Sequence, residues 1–419
     1  MTRTEKIQIL ALITFTGFLL AYGYARLTGY LYGHEFPFGT MLFRPENQFM
    51  DFFNNYRRWN CEVSYQASHC GFSSIAVENL LLFGFSKISP DWAAFLLYTG
   101  IFLTGFWTLL WREVRVPSPL KTLFFFVALG MVSYPVLFAV DRANDQLYYY
   151  FLMLGFLAAY AKGRYTLAAV IFGVSLGFKP FQIVFAALFI ADKKYRELAI
   201  AAGSFAAAIT VSALALAPLN NVPYSEAFNI FARDSKWTSS YHFNYVIRHT
   251  GLPFGHSAFG ALKVLTMHFY NWLFYTIDQD RLFRILTKPY FAIAAAAYVF
   301  CAWFIIKKET VFWKRITLLT ISMTVLPFVS ADYRLLLYFI PIFYFLKAEP
   351  DKNDLLYCVL FALIILPKNY YFRIFASVPR ETGLGVTLTP AILLYFAWRI
   401  IKERLRPDGY RRDDKAITS

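Results

Sequence analysis

Apolar runs separated by short basic links dominate the chain. They fall at roughly 7–27, 91–111, 120–140, 147–161, 165–178, 180–191, 197–217, 289–306, 314–330, 333–346, 354–367 and 388–402. The longer runs have the ~20 apolar residues that a helix needs to cross ~30 Å of hydrocarbon. The pattern predicts an all-α, polytopic transmembrane helix bundle of about 12 spans, with residues 1–419 forming a single integral membrane domain.

The links orient this bundle. Arg112, Arg115 and Lys121 form one basic link, Lys162 and Arg164 another, and Lys193, Lys194 and Arg196 a third. Lys307, Lys308, Lys314 and Arg315 follow, and residues 403–419 make a basic tail. Short basic loops stay on the cytoplasmic side, which puts both termini there as well. Two long segments, 28–90 and 218–288, then lie outside, with outer turns at 141–146, 331–332 and 368–387. Within the first, "FSSIAVENLLLFGFSKIS" (72–89) is too short and polar to span, and reads as an amphipathic interfacial helix.

The runs 165–178 and 180–191 meet at "GFKP". Each would be only about 20 Å long, and Pro180 breaks the helix. Broken backbone at membrane depth is tolerated beside protein or a watery cavity, so Lys179, at the tip, is expected to face one.

Composition agrees with this reading: 58% of residues are hydrophobic, 20% aromatic and only 16% charged. A separate soluble domain is excluded, since soluble domains carry about a quarter charged residues. The net charge of +15 is what basic cytoplasmic links and anionic lipid contact produce, so it does not argue for nucleic acid. "KIQILALITFTGFLLAYGYA" lacks a good cleavage region and reads as an uncleaved first span. Cys301 and Cys358 lie in spans. Cys61 and Cys70 share the first outer segment and are expected to form a disulfide in an oxidising compartment; their spacing is no zinc signature.

Candidate chemistry gathers on the outer side. "RPENQFMDFFNNYRRW" carries Glu46 and Asp51. Asp51 stands between Met50 and Phe52-Phe53, so its carboxylate is expected to rest on apolar surface, a setting that suits a general base. The plainer alternatives are a helix cap or an ion pair with Arg57 or Arg58. "DRAND" (141–145) has turn chemistry, yet a turn has no special need of Arg142, whose planar guanidinium suits a phosphate. "FVSADYRLLLYFIP" adds Tyr333 and Arg334, with an Asp332–Arg334 pair as the structural alternative. Lys179 is a third cation, and "SKWTSSYHFNYVIRHTG" supplies His242 and Asn244. Arg142, Asn144, Lys179, His242, Asn244, Tyr333 and Arg334 together suit a phosphate-linked substrate. No Gly-rich loop or paired-Asp motif marks a metal–nucleotide complex.

In this order, the acidic first outer loop, "DFFNNY", "DRAND" and "LGFKPF" resemble the polyprenyl-phosphate-mannose-dependent mannosyltransferases, glycosyltransferase family 87 of the GT-C superfamily, over most of residues 40–345. The resemblance implies a GT-C-like bundle and a hexosyltransferase of the cell envelope that moves a hexose, mannose favoured, from a polyprenyl-phosphate sugar donor to a lipid- or glycan-linked acceptor. It implies Asp51 as base, and Arg142, Asn144 and Lys179 near the donor phosphate. It implies inversion at the sugar carbon, and no metal or other cofactor. Where the family often has glycine between the arginine and asparagine, this chain has Ala143. The implied location is a bacterial inner (plasma) membrane, with the site on the outer face. Two other readings stay open: an O-antigen polymerase or ligase, and a membrane transporter or flippase.

Overall fold

In the computed structural model, residues 1–33, 42, 48–59, 76–219, 223–226, 242–248, 252–273, 279–368, 370 and 384–405 are described. Glu46, Cys61, Cys70 and the side chains of Arg57 and Arg58 lie outside these residues. The described chain is helical, and its only extended pairing is an isolated antiparallel bridge between Gly255 and Ala331.

The helices are α1 (Arg3–Tyr32), α2 (Met50–Trp59), α3 (Ala76–Ser86), α4 (Asp91–Val114), α5 (Pro119–Gly130), α6 (Tyr134–Arg142), α7 (Gln146–Ala161), α8 (Tyr165–Leu176), α9 (Ala186–Ala191) and α10 (Tyr195–Leu219). Then come α11 (Ala258–Leu273), α12 (Gln279–Lys307), α13 (Phe312–Val325), α14 (Phe339–Lys347), α15 (Asp354–Ile365) and α16 (Gly385–Leu405). Two 3₁₀ turns, Pro180–Phe185 and Asp332–Tyr338, lead into α9 and α14.

Among the described residues, four helices are long and apolar enough to cross a membrane: those at Arg3–Leu31, Asp91–Val114, Tyr195–Pro218 and Asp280–Lys307. The pair α5 and α6 makes a fifth if counted as one span bent by 53°. About twelve spans were expected from hydropathy, and the difference has a local cause. Several of the apolar runs are longer than the helices inside them, among them 120–140, 180–191, 314–330 and 333–346. The run 314–330 is α-helical only to Val325, and the run 333–346 opens as a 3₁₀ turn. Met131-Val132-Ser133 interrupts the run 120–140, and Pro135 fits the first turn of α6 but could not continue α5. Hydropathy reports burial in apolar surroundings; it does not report helix continuity.

The main core is one large cluster rich in aromatic side chains, including Phe102, Phe106, Tyr150, Phe156 and Phe339. Leu19, Leu20, Ile293 and Val299 on the long helices are exposed, as lipid-facing positions would be. Small residues let α8 and α10 meet closely: Gly173 has no room for a Cβ against the Ala201 carbonyl and Ser204.

One end of the bundle collects the basic links. Lys6 and the N-terminal amine pair with Asp354, Arg3 and Lys347 with Glu113, Arg315 with Asp192, and Lys314 with Glu403. Of these pairs Lys6–Asp354 is fully enclosed, and there a low-dielectric interior requires the charges to be paired. Along α4 the chain runs from Glu113 at this end back to Phe95 and Tyr98, which touch α2 at the other. The candidate chemistry lies at that second end.

Candidate active site

Asp51 is placed by the aromatic face of its own helix. Phe49, Phe52, Phe53 and Tyr56 recur at helical spacing; the three phenylalanines pack on Phe95, and Phe52 also meets Tyr98. Tyr56 fixes the far end by donating to the Ile88 carbonyl at 2.8 Å. With that face buried, Asp51 in the first turn points the other way. The apolar setting expected for its carboxylate is absent. Arg142 grips both carboxylate oxygens through Nη2 and Nε, and Asn144 Nδ2 donates to Oδ2 at 2.9 Å. The Asp51 side chain is still 22% exposed, so the ion pair leaves a face open.

"DRAND" is a turn and a clamp at once. Arg142 ends α6, and Ala143 turns the chain through the left-handed region, with φ 47° and ψ 44°. That conformation is the helix stop that glycine normally supplies. Asn144 then accepts from the Gln146 amide at 3.0 Å through Oδ1, opening α7, while its Nδ2 reaches Asp51. Phe49 N donates to the Asp141 carbonyl, tying the approach to α2 onto the same turn. One sharp reversal thus presents two donors, from either side of Ala143, to one carboxylate.

Lys179 sits where the sequence predicts a break. α8 stops at Leu176, and Lys179 is extended (φ −145°, ψ 124°), as the residue before a proline prefers. Its ammonium lies 3.1 Å from Glu78 Oε2 on α3 and 2.6 Å from Asp145 Oδ2 at the start of α7, both buried. Burial and the Asp145 charge push the Glu78 carboxyl up to about 8, against the pull of Lys179.

Arg334 differs from the other two cations. It is 8% exposed, lies over the Phe181 ring at 4.1 Å, and donates to the Val329 carbonyl at 3.3 Å. Among the described residues it has no carboxylate partner. Asp332, the expected alternative partner, is engaged elsewhere: Tyr134 Oη donates to Oδ2 at 2.8 Å, and His256 Nδ1 lies 3.0 Å from Oδ1. His256 Nε2 in turn lies 3.0 Å from Ser330 Oγ. These bonds and the Gly255–Ala331 bridge brace the turn that carries Tyr333 and Arg334. Burial lowers the basicity of His256, against the hydrogen bond and charge of Asp332, so it is read as a neutral strut. The Tyr333 hydroxyl lies within electrostatic reach of Arg334, Lys179, Asp51 and Asp145, which makes these groups one site.

Residues 79–330 match glycosyltransferase family 87. That segment is more than half of the chain and carries Arg142, Asn144 and Lys179 together with the Asp145 and His256 just described. The chain belongs to glycosyltransferase family 87. Comparison with curated proteins and with solved structures returns no match.

The family 87 chain thus brings Asp51, Arg142, Asn144, Lys179, Tyr333 and Arg334 to one end of its bundle. His242 and Asn244 lie on the π-helical turn His242–Ile247, which packs against α11 and α12 through Val246, and His242 is exposed. Glu78, Asp145 and His256 were not singled out from the sequence. Glu78 carried a readable signal, being a lone acid in the apolar stretch "IAVENLLLFGF". His256 had none, because a pairing across more than seventy residues leaves no local pattern.

Proposed function

We propose that this protein is an inverting hexosyltransferase, mannose favoured, which takes the sugar from a polyprenyl-phosphate donor and passes it to a lipid- or glycan-linked acceptor on the outer membrane face. The observation that carries the reading is the pairing of two differently prepared groups. Asp51 is held by Arg142 and Asn144 with one face open, and Arg334, whose charge reaches the same Tyr333 hydroxyl as that of Asp51, has no carboxylate partner among the described residues.

In this reading Asp51 accepts the proton of the acceptor hydroxyl as that oxygen attacks the anomeric carbon. The bond from the anomeric carbon to the phosphate oxygen breaks, and its electron pair leaves with the lipid phosphate, whose charge goes from −1 to −2. Arg334 faces that growing charge where little water competes. Arg142 and Asn144 fix the carboxylate's orientation, so that proton transfer needs no search over rotamers. A single displacement inverts the sugar carbon. Lys179, with its two carboxylates, supports the turn between α6 and α7 and is not the phosphate's main partner.

Purified protein in detergent, given a polyprenyl-phosphoryl mannose and a lipid acceptor, should transfer the sugar. Asp51→Asn keeps the size and the bond from Asn144 but cannot take the proton, so transfer should fall ~10²-fold or more while the protein stays folded. Unchanged transfer in that variant would remove Asp51 from the chemistry.

A further inference from the structure

Glu78 has no part in the reaction just described, yet it is buried beside it with an acid for a neighbour. Lys179 Nζ lies 3.1 Å from Glu78 Oε2 and 2.6 Å from Asp145 Oδ2, and both acids are almost fully enclosed. One ammonium balances one carboxylate. A second ionised carboxylate in the same low-dielectric pocket would be unpaired, and such a group takes a proton instead. Asp145 has the closer ion pair and the first turn of α7 in front of it, where negative charge is favoured. Glu78 is left as the acid that titrates.

We propose that Glu78 is a positioning residue for the donor site: by holding or releasing a proton beside Lys179 and Asp145, it sets the net charge that the donor phosphate meets. This rests on the donor reading above. Arg142 cancels Asp51, Lys179 cancels Asp145, and Lys368 cancels Asp332, whose charge acts on it. With Glu78 protonated the cluster keeps the single positive charge of Arg334, which matches a phosphodiester anion. With Glu78 ionised the cluster is neutral, and the pull on that anion is lost. The groups that face Glu78 are Asp145 from α7, Lys179 from the helix break and Tyr98 from α4, with Asp51 on the adjoining α2. Burial and Asp145 push its carboxyl up to about 8, which places the change at mildly alkaline pH.

The test is the affinity for farnesyl-phosphoryl-mannose, read by tryptophan fluorescence across mildly acid to alkaline pH, with transfer kinetics measured in parallel. The probe is a phosphodiester and does not titrate there, so a change in affinity belongs to the protein. In the unaltered protein, binding should weaken on the order of fivefold as pH rises past the Glu78 transition, as expected for losing one unit charge nearby. Glu78→Gln should flatten this limb whatever its affinity at neutral pH. Asp145→Asn should move the limb to lower pH, because Glu78 then has Lys179 to itself. A limb that survives unchanged in Glu78→Gln belongs to another group, such as Lys368, and overturns the proposal, as does flat binding in the unaltered protein. Binding that follows Glu78 without any sugar transfer would keep the proposal and refute the proposed transfer from this donor. Transfer with a limb indifferent to Glu78 would do the reverse.

Discussion

Replacing Arg334 by methionine should move activity and stability in opposite directions. The guanidinium is 8% exposed and has a carbonyl at 3.3 Å and a ring face at 4.1 Å for company, with no carboxylate among the described residues. If it faces the leaving phosphate, it meets one extra unit of negative charge in the transition state. At a separation of ~5 Å and an effective dielectric of ~20, that is worth about 3 kcal/mol. The expected loss in kcat/KM is then ~10²-fold. In the donor-free protein the same charge is a burden. Exchanging a buried charge with no carboxylate partner among the described residues for an apolar chain of similar length should stabilise by about 1 kcal/mol, after the lost cation–π contact is subtracted. Lysine at 334 should recover only part of the transfer, because a planar fork becomes a point charge. The assay is donor kinetics at matched protein amounts, beside thermal unfolding in detergent without donor. Transfer within threefold of the unaltered protein refutes the phosphate role. A joint loss of transfer and stability refutes it as well, since that is how an arginine holding only the fold would behave.

Ala143→Gly should raise stability by about 1 kcal/mol, since glycine adopts φ 47° without the strain a Cβ brings; a lower unfolding temperature would contradict this. Asn144→Asp sets a second carboxylate against Asp51 and should destabilise by roughly 2 kcal/mol at neutral pH. The added acid is harder to ionise in the folded state, so that penalty is absent at low pH, grows as pH rises past the ordinary carboxylate range, and should vanish when unfolding is measured in acid. For topology, Ser225→Cys, exposed in the second long segment, which the proposed sidedness puts outside, should react with an impermeant thiol reagent on intact cells. Lys162→Cys, in a basic link, should react only after permeabilisation, and the reversed pattern would invert the proposed sidedness.

Much of the architecture was legible in the sequence because it depends on composition and local rules. Long apolar runs could only be helices in a membrane, since each backbone group must find its partner within its own segment. The break at Lys179-Pro180 follows from a ring that cannot continue a helix, and the aromatic face 49/52/53/56 from helical spacing. The turn chemistry of "DRAND" was present in its residue types, whereas its clamp on Asp51 was not. Which charge meets which was not legible. Asp51 and Arg142 are separated by 91 positions, and Lys179 and Glu78 by 101, and side-chain chemistry alone would have allowed other pairings. The tertiary structure decided that two of the three cations bring their own carboxylates and that Asp332 turns to Tyr134 and His256, leaving Arg334 with no carboxylate partner among the described residues. It also decided where helices end inside the apolar runs, because hydropathy is summed over a segment whereas a helix is broken by a single residue. The sequence determined what kinds of groups could gather at a membrane boundary; packing chose the partners, because a buried charge must be satisfied by whatever the fold brings within about 3 Å of it.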